Sequence, residues 1–381
     1  LDYTNSINEY ILEIYSTIPD WDIYSKLYNI HTNIAYSVYS GRGSDGEFIG
    51  LKGSLEHTAL LCYAAGNMKL AVHDYRYKSY YSKLLRGVCD CFLVSGDEVH
   101  LRRLYKDEYI SNNTTLSLEI ISAVVLLISG FDKFKDDFIE DLEFHIKLWF
   151  DKFLTTHDYI ISKINNDNMQ SDISPNIIYN SSKCFAYVAA RLIQPLKITN
   201  ELSILKEVLL SPVMDHYIMN NLLVCRAIAA ANMLEAILNM YPDKNNSIGM
   251  SKHVFCELSI RWLTNINNKI GLDIPELHAV KSIFYMSYGD IVSAELEINK
   301  TQAIINILYD NHTLVKNENY RCLLNPTHGG DSPTDMVNGD GDPCSCCDCP
   351  LNVCDKGITF TAFDYPIIYS KIADYLVKKY T

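Results

Sequence analysis

In the stretch 138–153, "FIEDLEFHIKLWFDKF", Phe138, Leu142, Ile146, Trp149 and Phe153 recur at three- and four-residue spacing. Glu140, Asp141, Lys147 and Asp151 take the other faces. Apolar side chains at that spacing line one side of a 3.6-residue helix, whereas a strand would alternate every second position. This period runs through most of the chain. It predicts helices over Ile7–Ile18, Tyr24–Val38, Leu55–Ala65, Ser79–Val94, Leu116–Ser129, Phe138–Phe153, Ser182–Ile193, Leu222–Met240, His253–Leu263, Ala279–Tyr288 and Ala294–Tyr309. A last helix carries Asp364 and Pro366 at its start and Lys378 and Lys379 at its negative end, as capping and the helix dipole favour.

Short polar connections such as "NNTT", "YPDKNNSIG" and "TNINNKIG" separate these stripes. About a dozen helices so joined predict antiparallel helical hairpins, which either stack or close into an α/α toroid. No repeat of fixed period appears, so the named solenoid families do not fit. The fold class expected is all-α. One short strand is expected in Gly357–Phe363, where Ile358, Phe360 and Ala362 alternate.

The period fails between Asn325 and Gly357, where Gly, Pro, Asp and Cys dominate. The expected organisation is a helical domain over 1–320, a cysteine-rich loop tied by disulfides over 321–357, and a short strand with a C-terminal helix over 358–381 that packs back on the domain. Cys344, Cys346, Cys347, Cys349 and Cys354 crowd together there, with Cys322 upstream. Adjacent Cys346 and Cys347 suit two disulfides leaving in different directions better than one tetrahedral ion. The six together are enough for three bridges, whose connectivity spacing does not fix. Zinc is the competing reading, since Cys346-x-x-Cys349 has ligand spacing, but no second pair follows and His328 is the one histidine nearby. Cys62, Cys184, Cys225 and Cys256 sit in helical stripes and read as buried small apolar residues, and Cys89-Asp90-Cys91 is too tight for a redox pair. Six N-x-[S/T] sequons, at Asn112, Asn113, Asn180, Asn245, Asn299 and Asn311, are compatible with an oxidising compartment.

A formal net charge of -13 turns the chain away from nucleic acid, whose phosphates require basic surface. The densest basic stretch, "YRYKSYYSK" at 75–83, interleaves tyrosines with Arg76, Lys78 and Lys83 and is read as a surface contact rather than a platform for single strands. The apolar runs 120–128 and 222–238 are too short or too charged to span a bilayer, the second carrying Arg226 and Glu235; both read as buried helices. Leu1 in place of Met is expected of a processed or trimmed chain.

Three constellations carry candidate chemistry. Asn338, Asp340 and Asp342 alternate like the first half of an EF-hand loop, but Pro343 replaces the turn glycine and Cys349 the closing carboxylate. "GRGSDG" at 41–46 fits G-x-G-x-x-G without the strand–helix context a dinucleotide site needs, and is read as a helix-to-helix turn. Asp45, Glu47, Glu56, His57, His73 and Tyr75 are the set from which a glycan-processing toroid would draw its acid, base and sugar platform. No motif demands a cofactor. The 27 tyrosines, the acidic charge and the cysteine cluster together favour a non-enzymatic structural or assembly protein. Its expected partner is a second copy of itself, and its expected place is extracellular or in a virion or occlusion body. The alternatives are a glycan lyase or hydrolase and a zinc-dependent interaction module.

Overall fold

A computed structural model describes residues 28–42, 48–72, 75–105, 108–111, 118–134, 139–156, 224–241, 251–270, 273–310 and 364–380. These are mostly helical. The helices are α1 (Leu55–Val72), α2 (Tyr75–Asp90), α3 (Leu118–Phe134), α4 (Glu140–Thr156), α5 (Val224–Asn239), α6 (Lys252–Ile270), α7 (Pro275–Tyr288), α8 (Ile291–Asp310) and α9 (Asp364–Tyr380). The expected helices over Ile7–Ile18 and Ser182–Ile193, the strand near 357–363 and the whole 321–357 loop lie outside the described residues.

Sequence separates the helices into two kinds. α1 ("LEHTALLCYAAGNMKLAV"), α3 and α5 are apolar on nearly every side, and their described side chains are almost all buried. A helix apolar all round must be covered all round. In agreement, α1, α3, α5, α7 and α9 pack in a closed cycle: α1 on α3, α3 on α5, α5 on α7, α7 on α9 and α9 back on α1. The remaining helices cover this cycle from outside, α2 on α1, α6 on α7 and α5, and α8 on α7. The α1–α3 crossing is close. A Cβ added at Gly66 would come within 2.7 Å of the Phe134 ring. Phe134 in turn meets Tyr63 and Tyr81 edge-on. The Lys69 ammonium donates to the Phe134 carbonyl at 2.6 Å and so satisfies an orphan acceptor at the end of α3.

α7 and α8 form a tight hairpin. Gly289 takes φ 97°, which a side chain disfavours, and its N–H reaches back to the Tyr285 and Met286 carbonyls. Asp290 then caps α8, accepting from the Ser293 N–H at 3.0 Å and the Ser293 hydroxyl at 2.6 Å.

Five short antiparallel strands were not expected from the sequence: β1 (Tyr36–Arg42), β2 (Phe48–Gly53), β3 (Phe92–Ser95), β4 (Glu98–Tyr105) and β5 (Glu108–Ser111). They correct two expected helices. The 24–38 stripe is broken because the Asn29 side chain accepts from the His31 and Thr32 N–H groups, and Asn33 takes φ 58°. This turn bridges Tyr28 to Ala35 and delivers Tyr36 into a strand. The 79–94 stripe ends at Asp90, and Phe92–Ser95 turns into a hairpin with β4. Likewise Gly41 and Arg42 belong to β1 and Phe48 opens β2, so "GRGSDG" joins strands rather than helices.

Candidate functional site

The apolar cycle contains charge. Glu235 on α5 and Lys371 on α9 are both fully buried and hydrogen-bonded to each other. The second Glu235 oxygen accepts the Tyr63 hydroxyl from α1 at 2.9 Å. That hydroxyl accepts in turn from Asn239 at 3.0 Å and from the Lys133 ammonium of α3 at 3.3 Å. Asn239 also donates to Ser129, and Lys133 reaches Asp374 of α9 at 3.1 Å. Lys378 closes the chain on the other Asp374 oxygen at 2.6 Å. Four helices of the cycle are therefore tied together across its interior.

Removing such charges from water costs several kcal/mol each, and only close pairing with further hydrogen bonds offsets it. The electrostatics follow the contacts. Burial alone would push the Asp374 carboxyl up, but the Lys133 and Lys378 ammonium groups outweigh it and hold the group well below the ordinary carboxylate range. Burial, assisted by Glu235 and Asp374, pushes the Tyr63 phenol well up, so it stays protonated and able to donate. Burial also draws the Lys133 ammonium down against the pull of Asp374. The network comes nearest to solvent at Lys133 and Lys378, whose side chains are 27% and 31% exposed, and at half-buried Asn239. It is built as a fastening, with its acids already occupied by bases.

A second buried cluster lies between α7 and α8. His278 donates from Nδ1 to Glu297, which also binds Lys281 at 3.1 Å and Lys300 at 3.2 Å. Burial opposes ionisation of Glu297, yet His278 and Lys281 prevail and hold its carboxyl near about 2. The other His278 nitrogen sits 3.2 Å from both Asn267 Nδ2 and Asp273 Oδ1. Unlike the central network, this cluster touches the surface, through Asp273 and Lys300.

The residues singled out by sequence are distributed differently. Glu56 and His57 are buried at the start of α1, where His57 Nδ1 lies 2.7 Å from the hydroxyl of the preceding Ser54. Tyr75 is exposed at the start of α2, beyond the far end of α1. Eighteen helical residues, roughly 27 Å at ~1.5 Å each, separate those two ends. The two groups are thus not brought together. Asp45, Glu47, His73, the calcium candidates Asn338, Asp340 and Asp342, and the disulfide candidates Cys322, Cys344, Cys346, Cys347, Cys349 and Cys354 lie outside the described residues.

Tyr77 and Tyr81, from the basic stretch on α2, are buried and so give no platform for stacking bases. Cys62, Cys89, Cys91 and Cys256 are free and buried. Burial pushes the Cys89 thiol up to about 12 and Cys256 to about 11, which leaves both protonated and unreactive at neutral pH. Among the described residues no group of three or more His, Cys, Asp or Glu side chains is disposed to hold a metal ion. No described helix is long and apolar enough to cross a membrane.

Sequence reasoning passed over the central network, although one signal was present. Glu235 stands inside an apolar run read as a buried helix, and a buried carboxylate requires a partner. No protein-family model, curated protein or solved structure matches this chain.

Proposed function

We propose that this chain is a non-enzymatic assembly protein whose partner is a further copy of itself. One observation carries the reading: its dense groups of acids and bases are turned inward and satisfied by one another, while large apolar side chains are left outside. Ile291, Val292 and Leu296 on α8 are 53%, 79% and 56% exposed. A site for acid–base chemistry needs a carboxyl or imidazole that a substrate can reach. Glu235, Lys371 and Tyr63 are instead spent on one another. The tyrosines take a different part from the one composition suggested. Among those with described side chains, Tyr28, Tyr63, Tyr77, Tyr81 and Tyr375 pack inward, whereas Tyr75 and Tyr109 face out. Light scattering of the full chain at neutral pH tests the proposal: mass above 43.4 kDa that grows with concentration supports it, and a strict monomer at high concentration removes it.

The oxidising setting belongs to the same proposal and rests on the six clustered cysteines. Intact mass before and after reduction decides it, through the hydrogens gained.

A second reading, an α/α-toroid enzyme acting on a glycan, is favoured by the closed cycle of α1, α3, α5, α7 and α9. It predicts release of new reducing or unsaturated ends from a soluble polysaccharide. The absence of such ends across acidic, neutral and basic polysaccharides retires it.

A further inference from the structure

The two nitrogens of His278 meet different kinds of neighbour. Nδ1 faces the Glu297 carboxylate, which only accepts, so this nitrogen carries a proton. Nε2 lies 3.2 Å from Asp273 Oδ1 and 3.2 Å from Asn267 Nδ2. The first of these is an acceptor and the second a donor. The Asn267 amide is oriented by its other atom, because its Oδ1 accepts the Ile274 N–H at 3.3 Å. A proton on Nε2 therefore suits Asp273 and opposes Asn267, and its loss does the reverse. The ring is buried, with 4% of its side chain exposed, whereas the Asp273 side chain is 74% exposed.

We propose that His278 is a proton-operated latch on the connection that leads from α6 into α7. With Nε2 protonated, the ring donates to Glu297 on one side and to Asp273 on the other. The Asn267 amide then turns away and releases the Ile274 N–H. With Nε2 unprotonated, the ring accepts from Asn267, which ties α6 to α7 and keeps its hold on Ile274. Acid thus moves the fastening of His278 from α6 to Asp273. Imidazole is the side chain suited to such a change between about pH 5 and about 8. The latch stands apart from the assembly reading and does not depend on it.

The surrounding charges leave the ring as the group that changes in that window. Glu297 on α8 is bound by Lys281 of α7 and Lys300 of α8, and its carboxyl is held near about 2. Buried Glu276 shares the first turn of α7, and burial pushes the Tyr285 phenol up, so it stays neutral. From α6, Glu257 and Arg261 are exposed, and His253 lies against Tyr288 at the far end of α7. α5 and α9 also pack on α7, and their buried charges Glu235, Lys371 and Asp374 are taken up by the central network. Asp273, being exposed, is screened by salt, so its pull on the proton weakens as ionic strength rises.

The test is an NMR titration of histidine-labelled full chain from about pH 5 to about 8, with the His278 signal assigned by its loss in His278→Gln. Hydrogen exchange of the Ile274 amide, corrected for its intrinsic pH dependence, is followed in parallel. The ring should titrate within the window, and Ile274 protection should fall about 5-fold on the acid side of the same midpoint, the loss of one hydrogen bond. Asp273→Asn should lower the midpoint and Asn267→Ala should raise it, each by about 0.5 pH unit or more. In Asn267→Ala, protection of Ile274 should no longer follow pH. Should that variant fail to fold, the wild-type titration and Asp273→Asn, at an exposed position, decide alone. A ring that keeps one protonation state across the window overturns the latch. So do variants that move the midpoint the same way or not at all, and Ile274 protection that ignores the midpoint.

Discussion

The two buried charge clusters are made of the same residue types and differ in how they end. At the centre, Lys371 and Glu235 have no solvent exposure, and the neighbouring Asp374 carries a lysine on each oxygen. Between α7 and α8, Glu297 is buried too, but its partners lead outward, to Lys300 on the α8 surface and through His278 to exposed Asp273. The first cluster fastens helices that are not sequence neighbours. The second fastens a local hairpin and hands its last cation to the outer face. The contrast teaches that the cluster tied across several helices ends in fully buried pairs, whereas the one set in a hairpin ends at the surface.

The largest break in that contrast comes from Lys371→Met. It leaves Glu235 buried without its cation and should cost about 3–5 kcal/mol, the loss typical of an orphaned buried charge. The double variant Glu235→Leu/Lys371→Met should recover much of it, and urea unfolding of the three proteins measures the difference. Lys300→Met, which removes a half-exposed partner of Glu297, should cost about 1 kcal/mol or less by the same assay.

A packing change beside the central cluster, whose Tyr63 meets the Phe134 ring, gives a further comparison. Gly66→Ala puts a methyl against the Phe134 ring and should destabilise by about 1–3 kcal/mol, as overpacking does. Acid sharpens the comparison further. Both Asp374 and Glu297 have carboxyls held below their ordinary values in the fold, so each contributes stability above its unfolded value and loses it as pH falls toward its folded one. For Glu297 the window runs from 4.5 to about 2, and for Asp374 it opens at 3.8 and extends lower. Calorimetry should show the melting temperature falling most steeply below pH 4.5. The smallest effect on folding is expected of Val292→Glu, within about 0.5 kcal/mol, since that side chain is largely exposed in the single chain.

Much of the helical architecture was legible because amphipathic and fully apolar helices write their period directly into sequence. The 138–153 stripe became α4, and the apolar run holding Glu235 became α5. The strands were not legible, because their identity rests on local events a period does not record. The Asn29 turn stops one helix before it begins, and a reversal after Ser95 lets a short apolar segment pair with β4. The polar centre was half legible. Glu235 announces that something must meet it, but Lys371 and Tyr63 lie far away in sequence, and only the closing of the helix cycle brings them together. Of the catalytic set drawn from neighbouring positions, the described Glu56 and His57 stand at one end of α1 and Tyr75 beyond the other, near in sequence and held apart by the length of that helix.

The most direct measurement is amine labelling of the full chain, read residue by residue by mass spectrometry, at low and at high protein concentration. The account predicts that Lys371 stays unlabelled at both, while half-exposed Lys300 reacts. Labelling of Lys371 at the rate of Lys300 would mean that the centre is open to solvent, which contradicts the account.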